Sequence, residues 1–528
     1  MKAWIKQLLS RELSSHSVWA ITFSVVAVLI LTRLVPLSEN YLYYDDFAYD
    51  DFAILPWAHL KDHRFVLAAE QSFWYWVYGP DYLRSYVPKI ASLCYITLGV
   101  WAMLRIFLAW QVPFVTALSA VLLFLAHPIL TDYSVWNIMS PSNLAWSFCL
   151  LGYLAQLRPG RYALAAGISL AFLGLGAYQI VVGLFAMLVL IEALLRLISG
   201  DLDAMPWKRR LIWVLFSIAL YIGYLLLVSS WLLDHPTTVA AGGARGFPKL
   251  SEIFTFSFLQ QKYQSISNGY LIVFQPILGF YFGTEAAWRG AWLSWLLIGL
   301  PIPAVLYFCW SARIAFIGFV LLVAALLAPM AFHLVVSTPA FGWRVSLGAL
   351  LALSFAFVVT SVMLLARSNL WPLAGLTSLA GLATALAFVP VTLKDAENRA
   401  RGYIATKELV HFLSTTQRRV GAEHAGAISI GLQAPVSSTL DASGEVMINF
   451  QISSCTTYSA ASYQRHFGKV LRWGGVQPAP NDGKLPSEVR TRINTLCERA
   501  APEQRCGITG IVDKLSGLSV ACFYGGGW

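Results

Sequence analysis

Long, uninterrupted apolar runs alternate with short polar segments along the chain as far as about residue 392. Each run is about twenty residues long, which is the length at which an α-helix crosses the hydrocarbon core of a bilayer. The runs are continuously apolar and do not alternate with a period of two, so strands of a membrane β-barrel are not expected. The pattern predicts a polytopic α-helical membrane protein.

We predict about 11 transmembrane helices, with a basic N-terminal segment and a retained first helix, because no small-residue cleavage site follows the first run. The expected spans are 17–37, 87–109, 113–128, 141–157, two helices that share 162–198 and break at "GLGAYQ", 211–232, 287–310, 314–334, 345–365 and 370–392. Residues 38–86 and 233–284 are expected to be outer loops. Within the second loop, 269–283 is short and contains Pro276, which favours a re-entrant or interfacial segment.

Composition and charge give the orientation. The chain is 58% hydrophobic and 12% charged, whereas soluble proteins carry about a quarter charged residues. Basic residues concentrate in cytoplasmic loops, and eleven helices place Arg313 and Arg367 inside, whereas a twelfth helix at 269–283 would place them outside. We therefore expect a multi-pass protein of the bacterial inner (cytoplasmic) membrane, with its outer loops and its C-terminal part on the periplasmic side.

The C-terminal part differs in composition from the rest. Residues 393–424 read as a charged helical linker, and 425–528 contain β-like runs separated by turn residues, which predicts a small extracytoplasmic α/β domain. Four of the 7 cysteines lie there: Cys455, Cys497, Cys506 and Cys522. An even set of cysteines predicts two disulfides in an oxidising compartment. Reduced thiols in a cytoplasmic domain are the alternative, and the pairing stays open.

Acidic residues crowd the stretch "YLYYDDFAYDDFA" (41–53), although Asp and Glu number only 27 in the whole chain. The four carboxylates are Asp45, Asp46, Asp50 and Asp51. Carboxylates beside lipid are costly unless they are solvated, paired or functional, and carboxylates this close raise one another's pKa. Lys61, His63 and Arg64 are nearby basic partners. The alternative is a solvated acidic cap that has no chemistry.

Many spanning helices, an acidic pair in the first outer loop and an outer C-terminal domain together resemble the plan of GT-C glycosyltransferases. The segment "YYDDFAYDDFAILPWAHLKDHRF" resembles the loop of the bacterial O-antigen-modifying glucosyltransferase group, in which an Asp-Asp pair precedes an Arg and a later Gly-Arg. "AYQIVVGL" (177–184) resembles the Tyr-Gln start of a later helix in that group. This sequence departs from that pattern in three ways: the first Arg is absent, His63-Arg64 stands where the group has Gly-Arg, and the aspartate pair occurs twice.

The resemblance implies an inverting glycosyltransferase that moves glucose or another single sugar from a polyprenyl-phosphate carrier to a periplasmic acceptor. Asp45 or Asp46 would be the general base, with Asp50 and Asp51 in support. Fixed positive charge would hold the leaving phosphate, with Arg344 first, although Arg344 also fits an interfacial snorkelling residue. The other candidates for phosphate or substrate binding are Arg64, His63, Arg245, Lys262, Tyr178 and Gln179.

The expected partners are the lipid bilayer, the lipid-linked sugar, and a glycan or protein acceptor such as O-antigen or a pilin; no nucleic acid is expected. No cofactor is required, and a need for a divalent metal stays open. A lipid-linked glycan flippase or permease is the alternative function. Transporters place ionisable residues inside helices and contain internal repeats, whereas the helix interiors of this sequence are nearly free of charge and no repeat is found, which favours the enzyme. A glycan polymerase uses similar outer loops and stays open.

Overall fold

The fold is taken from a computed structural model of the full chain. The structure describes residues 14–32, 59–60, 62–79, 86–127, 130, 142–234, 255–274, 315–330, 343–365, 372, 374–390, 392–393, 428–432, 448–450, 488, 491, 495, 507–513 and 518–524. The predicted helix at 287–310 and almost all of the predicted linker at 393–424 lie outside these residues.

Helices follow one another along the N-terminal part of the chain, and we number them in chain order. They are α1 (Ser15–Thr32), α2 (Phe65–Tyr78), α3 (Val87–Ala109), α4 (Phe114–Ala126), α5 (Ser142–Gln156), α6 (Arg161–Ala177), α7 (Val182–Ser199), α8 (Trp207–Asp234), α9 (Phe256–Phe274), α10 (Ala315–Leu327), α11 (Trp343–Leu365) and α12 (Ala374–Pro390). Short 3₁₀ turns occupy Gln179–Val181, Leu202–Ala204 and Ala328–Met330.

Within the described ranges, four helices are long and apolar enough to cross a bilayer: the cores of α3, α7, α8 and α11. Helix α8 carries large apolar side chains that the protein does not cover, such as Leu227, which is 80% exposed. Helix α11 is covered by protein, and its Phe355 and Val358 are fully buried. The protein is therefore a helical membrane protein, as the apolar runs predicted, and the number of eleven spans stays a prediction.

Several helix bounds follow the sequence closely. Helix α3 begins and ends at the predicted residues, and the predicted break in 162–198 separates α6 from α7. Two helices lie in segments that were expected to be loops. Helix α2 lies within 38–86, and α9 continues past residue 269, where a re-entrant segment was expected to begin. Neither helix is apolar enough to be recognised as a membrane span from its sequence. Helix α9 packs against α11, and this tertiary packing stabilises α9.

A buried ion pair joins α5, α7 and α8. Arg210 donates from Nε to Glu192 Oε2 (2.6 Å) and from Nη2 to Oε1 (3.0 Å), and from Nη1 to the carbonyl of Gln156 (2.6 Å). Tyr153 donates its hydroxyl proton to the same carboxylate, and Arg196 lies 3.2 Å from it. A buried pair that is fully hydrogen-bonded fixes one packing of its helices.

Four strands in the C-terminal part form one sheet in the order β1-β4-β3-β2. They are β1 (Ile428–Leu432), β2 (Ile448–Phe450), β3 (Gly507–Asp513) and β4 (Leu518–Tyr524). Strand β1 is parallel to β4, whereas β2 with β3 and β3 with β4 are antiparallel. The helices and this sheet belong to two separate compact units.

Candidate functional site

The break between α6 and α7 positions two side chains that the sequence singled out. Helix α6 ends at Ala177, Tyr178 is extended (φ −160°, ψ 117°), and a 3₁₀ turn from Gln179 to Val181 leads into α7. The extended residue turns the chain out of the helical path. Tyr178 is buried, and Gln179 is half-buried. The break therefore places a phenol ring and an amide at the start of α7.

A tight turn before α2 faces this break. The Arg64 N–H donates to the carbonyl of His59 (2.8 Å), and the His63 N–H donates to the carbonyl of Leu60 (2.8 Å). His63 adopts the left-handed conformation, with φ 59°. Glycine reaches this conformation without steric cost, whereas other residues seldom do. A glycine at the position before Arg64 would therefore adopt this backbone conformation without strain.

Hydrogen bonds join the turn to the break and to α8. The Gln179 Nε2 donates to the carbonyl of Asp62 (2.6 Å) and to the hydroxyl of Tyr221 (2.8 Å). The Tyr221 hydroxyl donates to the carbonyl of His63 (3.0 Å). Residues 117 positions apart in the chain are thus fixed directly against each other.

The Arg64 guanidinium lies at the centre of this arrangement. Its Cζ is 4.7 Å from the centroid of the Tyr178 ring, within the range of a cation–π contact. Its Nη1 is 3.6 Å from Asp62 Oδ2, and its side chain is 8% exposed. The Arg64 Nε is buried and has no hydrogen-bond partner in the part of the chain that the structure describes. Arg64 therefore combines a fixed positive charge with an available donor.

Two histidines flank Arg64, and burial lowers the pKa of both. The pKa of His59 falls to about 3, first because the ring is buried and second because Arg64 is close, while a hydrogen bond with Gln71 opposes the shift. The pKa of His63 is also lowered by burial, against the opposing effect of Asp62. Both rings are therefore neutral near pH 7, and they contribute hydrogen-bonding atoms to the site while Arg64 contributes its charge.

Close packing supports the turn from behind. The Phe65 ring lies against Phe172 and Tyr224, with centroid distances of 5.1 and 4.7 Å. A Cβ on Gly176 would lie 2.2 Å from the Phe65 ring, so only glycine allows α6 to approach this closely. Because Phe65 is the first residue of α2 and follows Arg64 directly, this contact holds the start of α2 against α6.

The structure describes only some of the other predicted residues. Asp45, Asp46, Asp50, Asp51 and Arg245 lie outside the described residues, as do Cys455, Cys497 and Cys506. Arg344 lies in the first turn of α11, and Cys522 lies in β4. Lys262 is buried on α9, its Nζ is 4.7 Å from the Phe258 ring, and burial lowers its pKa.

Sequence reasoning missed Asp62, His59 and Tyr221. The first two lie inside the quoted segment "YYDDFAYDDFAILPWAHLKDHRF", between the aspartate pairs and Arg64, so their position close to Arg64 was a usable signal. Tyr221 lies in the middle of an apolar helix, where a tyrosine has no local feature that separates it from an ordinary packing residue. Within the part of the chain that the structure describes, no cluster of three metal-ligating side chains occurs, so the question of a divalent metal stays open.

Comparison with known protein families places the chain in one of them. A family model described as glucosyl transferase GtrII matches residues 34–366, more than half of the chain. The matched range contains all four aspartates of the acidic stretch, the turn before α2 and the break at Tyr178, and it ends beside the last residue of α11. No curated protein and no solved structure matches the chain.

Proposed function

The chain belongs to the glucosyl transferase GtrII family and is a membrane-embedded glycosyltransferase, and we propose that it transfers glucose from a polyprenyl-phosphate carrier to a periplasmic acceptor. The family is that of the bacterial O-antigen-modifying glucosyltransferases, as the two short motifs indicated. The observation that carries the proposal is the meeting of these motifs in space, where Arg64 lies over Tyr178 and Gln179 binds the turn before Arg64.

The Arg64 guanidinium is suited to the phosphate of a lipid-linked donor. Arginine offers its donors in a planar fork that matches phosphate oxygens, and the Arg64 Nε has no partner among the described residues. Low exposure strengthens the attraction, because water screens it less. Arg64 therefore replaces Arg344 as our first choice for binding the leaving phosphate, and Arg344 stays a second candidate.

The reaction we propose is a single displacement. An acceptor hydroxyl attacks the anomeric carbon, its proton passes to a carboxylate, and the bond from that carbon to the phosphate oxygen breaks. The polyprenyl phosphate leaves with the bond's electron pair, and Arg64 balances its charge. Attack from the opposite side inverts the anomeric centre. Asp45 or Asp46 is the proposed base, since both precede Arg64 in the same predicted outer loop.

The remaining details belong to the same proposal. The membrane is the bacterial inner membrane, the acidic loop and the C-terminal sheet face the periplasm, and the acceptor is an O-antigen glycan or a surface protein such as a pilin. The helices have the GT-C arrangement, and the C-terminal residues form a disulfide-bearing α/β domain that contacts the acceptor.

The test replaces Asp45 and Asp46 singly by Asn and measures glucose on surface glycans and pilins by mass spectrometry. Asp203→Asn, in the 3₁₀ turn before α8, is the matched control because its side chain is exposed. We expect one of the first two variants to lose transfer by at least about a hundredfold, the typical contribution of a general base, while the control keeps it. Full transfer by both Asp45→Asn and Asp46→Asn would remove the pair as the base.

A further inference from the structure

We infer that Tyr221 and Gln179 are positioning residues that hold the Asp62–His63–Arg64 turn and thereby set the Arg64 guanidinium for the donor phosphate. The inference rests on the proposed function, because it assumes that Arg64 binds that phosphate. It gives Gln179 a different role from the substrate contact that the resemblance implied, and it adds Tyr221, which no motif marks. The pair acts through Arg64, since its hydrogen bonds go to the carbonyls of Asp62 and His63 in the turn that carries Arg64.

The donors and acceptors of this pair have only one consistent arrangement. The carbonyl oxygens of Asp62 and His63 can only accept hydrogen bonds. The Gln179 atom 2.6 Å from the Asp62 carbonyl must therefore be the amide nitrogen, whose second proton goes to the Tyr221 hydroxyl. That hydroxyl then has its own proton free for the His63 carbonyl. Two of these bonds reach consecutive backbone carbonyls, and the third joins the two side chains to each other.

The turn depends on such bonds because its backbone is unfavourable. His63 holds φ 59°, a conformation that persists in a non-glycine residue only when its surroundings enforce it. Here the enforcing groups bind the carbonyls on both sides of the His63 Cα. If these bonds are lost, His63 relaxes towards negative φ, and Arg64 moves away from the Tyr178 ring. The expected loss is therefore in donor binding and transfer, through Arg64.

The experiment uses the full-length protein in proteoliposomes and compares Tyr221→Phe with Tyr224→Phe. Both substitutions remove one phenolic hydroxyl from the same helix, three residues apart. The Tyr224 hydroxyl is buried and makes no hydrogen bond with the described residues, so its loss leaves the turn intact. Transfer is measured against the concentration of glucosyl polyprenyl phosphate and, separately, of acceptor glycan.

We expect Tyr221→Phe to lower kcat/KM for the lipid donor by about tenfold, the effect of one or two hydrogen bonds, with the acceptor KM unchanged. Tyr224→Phe should match the wild type. In an Arg64→Lys background, Tyr221→Phe should add less than about twofold, because residues that act through one group are not additive. Should Tyr221→Phe fail to accumulate in membranes, Gln179→Glu gives the same comparison, since a carboxylate cannot donate to the Asp62 carbonyl.

Two results overturn the inference. The first is equal activity of Tyr221→Phe and Tyr224→Phe. The second is a double variant of Arg64→Lys and Tyr221→Phe whose loss of kcat/KM equals the product of the two single losses, because Tyr221 then does not act through Arg64. A separate result overturns the proposed role of Arg64: full donor affinity in Arg64→Lys and Arg64→Ala. The two failures are therefore distinguishable in one set of variants.

Discussion

Gly176 offers a sharp test of how the site is held, because its replacement by alanine adds a single methyl group behind the turn. Gly176 lies one residue before the end of α6, and the new Cβ would lie 2.2 Å from the Phe65 ring. The ring has little room to move aside, since Phe172 and Tyr224 lie at 5.1 and 4.7 Å. The substitution must therefore move α6 and the start of α2 apart, and α2 begins directly after Arg64.

The size of the effect follows from this distance. An ordinary carbon–carbon contact is about 3.5 Å or more, so the ring and the new methyl group must separate by roughly 1.3 Å. Forcing one extra methyl into a packed interior costs about 1–3 kcal/mol of folding stability. A misplacement of about 1 Å in a positioned group lowers rate by up to about a hundredfold. We therefore expect Gly176→Ala to lower kcat/KM by about ten- to a hundredfold.

The assay is glucose transfer in proteoliposomes, with thermal unfolding measured in detergent. Gly223→Ala on α8 is the matched control, because a Cβ there meets no atom within 4 Å; we expect full activity and unchanged or slightly higher stability. Phe65→Leu should restore part of the activity of Gly176→Ala by removing the ring. Equal activity of Gly176→Ala and Gly223→Ala would refute the idea that this contact holds Arg64 in place.

Three further predictions concern the turn and the buried ion pair between Arg210 and Glu192. The pKa of His59 is lowered in the folded protein to about 3, whereas in the unfolded chain it is about 6.5. Below about pH 6.5 the unfolded chain therefore binds a proton that the folded protein does not bind. The free energy of unfolding should fall by about 2 kcal/mol between pH 7.5 and pH 5. Thermal unfolding should show this loss, and His59→Asn should reduce it; an equal loss in both proteins would contradict the assignment. His63→Gly should keep donor affinity, because glycine adopts φ 59° readily, whereas His63→Val should lower it; the reverse order would show that the imidazole, not the turn, is required. Arg210→Met should lower stability by about 3–5 kcal/mol by leaving Glu192 buried without its partner, and Arg210→Met/Glu192→Leu should recover part of it; no loss in the single variant would contradict a structural role.

The sequence predicted best where the signal was local. The bounds of α3 and the break at Tyr178 were both correct, because a run of about twenty apolar residues and an interruption of that run are visible in a short window. The family was also recognised correctly from two short motifs and their order. Helix α2 was not among the predicted spans because its segment was assigned to an outer loop, and the packing that stabilises it involves α3, α6 and α8.

The site was predictable in part. Arg64, Tyr178 and Gln179 were candidates, but their contact was not, because it depends on a fold that joins segments 117 residues apart. Arg344 was the first candidate for phosphate binding because of its position at a helix end. That criterion is weaker than those that favour Arg64, which is buried and has an Nε without a hydrogen-bond partner among the described residues. Nothing in the sequence indicates a role for Tyr221. Its role depends on the backbone carbonyls of residues 62 and 63, and every residue has a backbone carbonyl, so the sequence does not mark these two.

The central claim is that Arg64 and the preceding acidic loop form the site at which glucose leaves a polyprenyl phosphate. Its most direct test is transfer by the purified protein in proteoliposomes, with labelled glucose supplied either on polyprenyl phosphate or on a nucleotide, and lipopolysaccharide as acceptor. We predict label on the glycan only from the lipid-linked donor, and its loss in Arg64→Ala. Transfer from the nucleotide donor without the lipid, or undiminished transfer by Arg64→Ala, would contradict the claim.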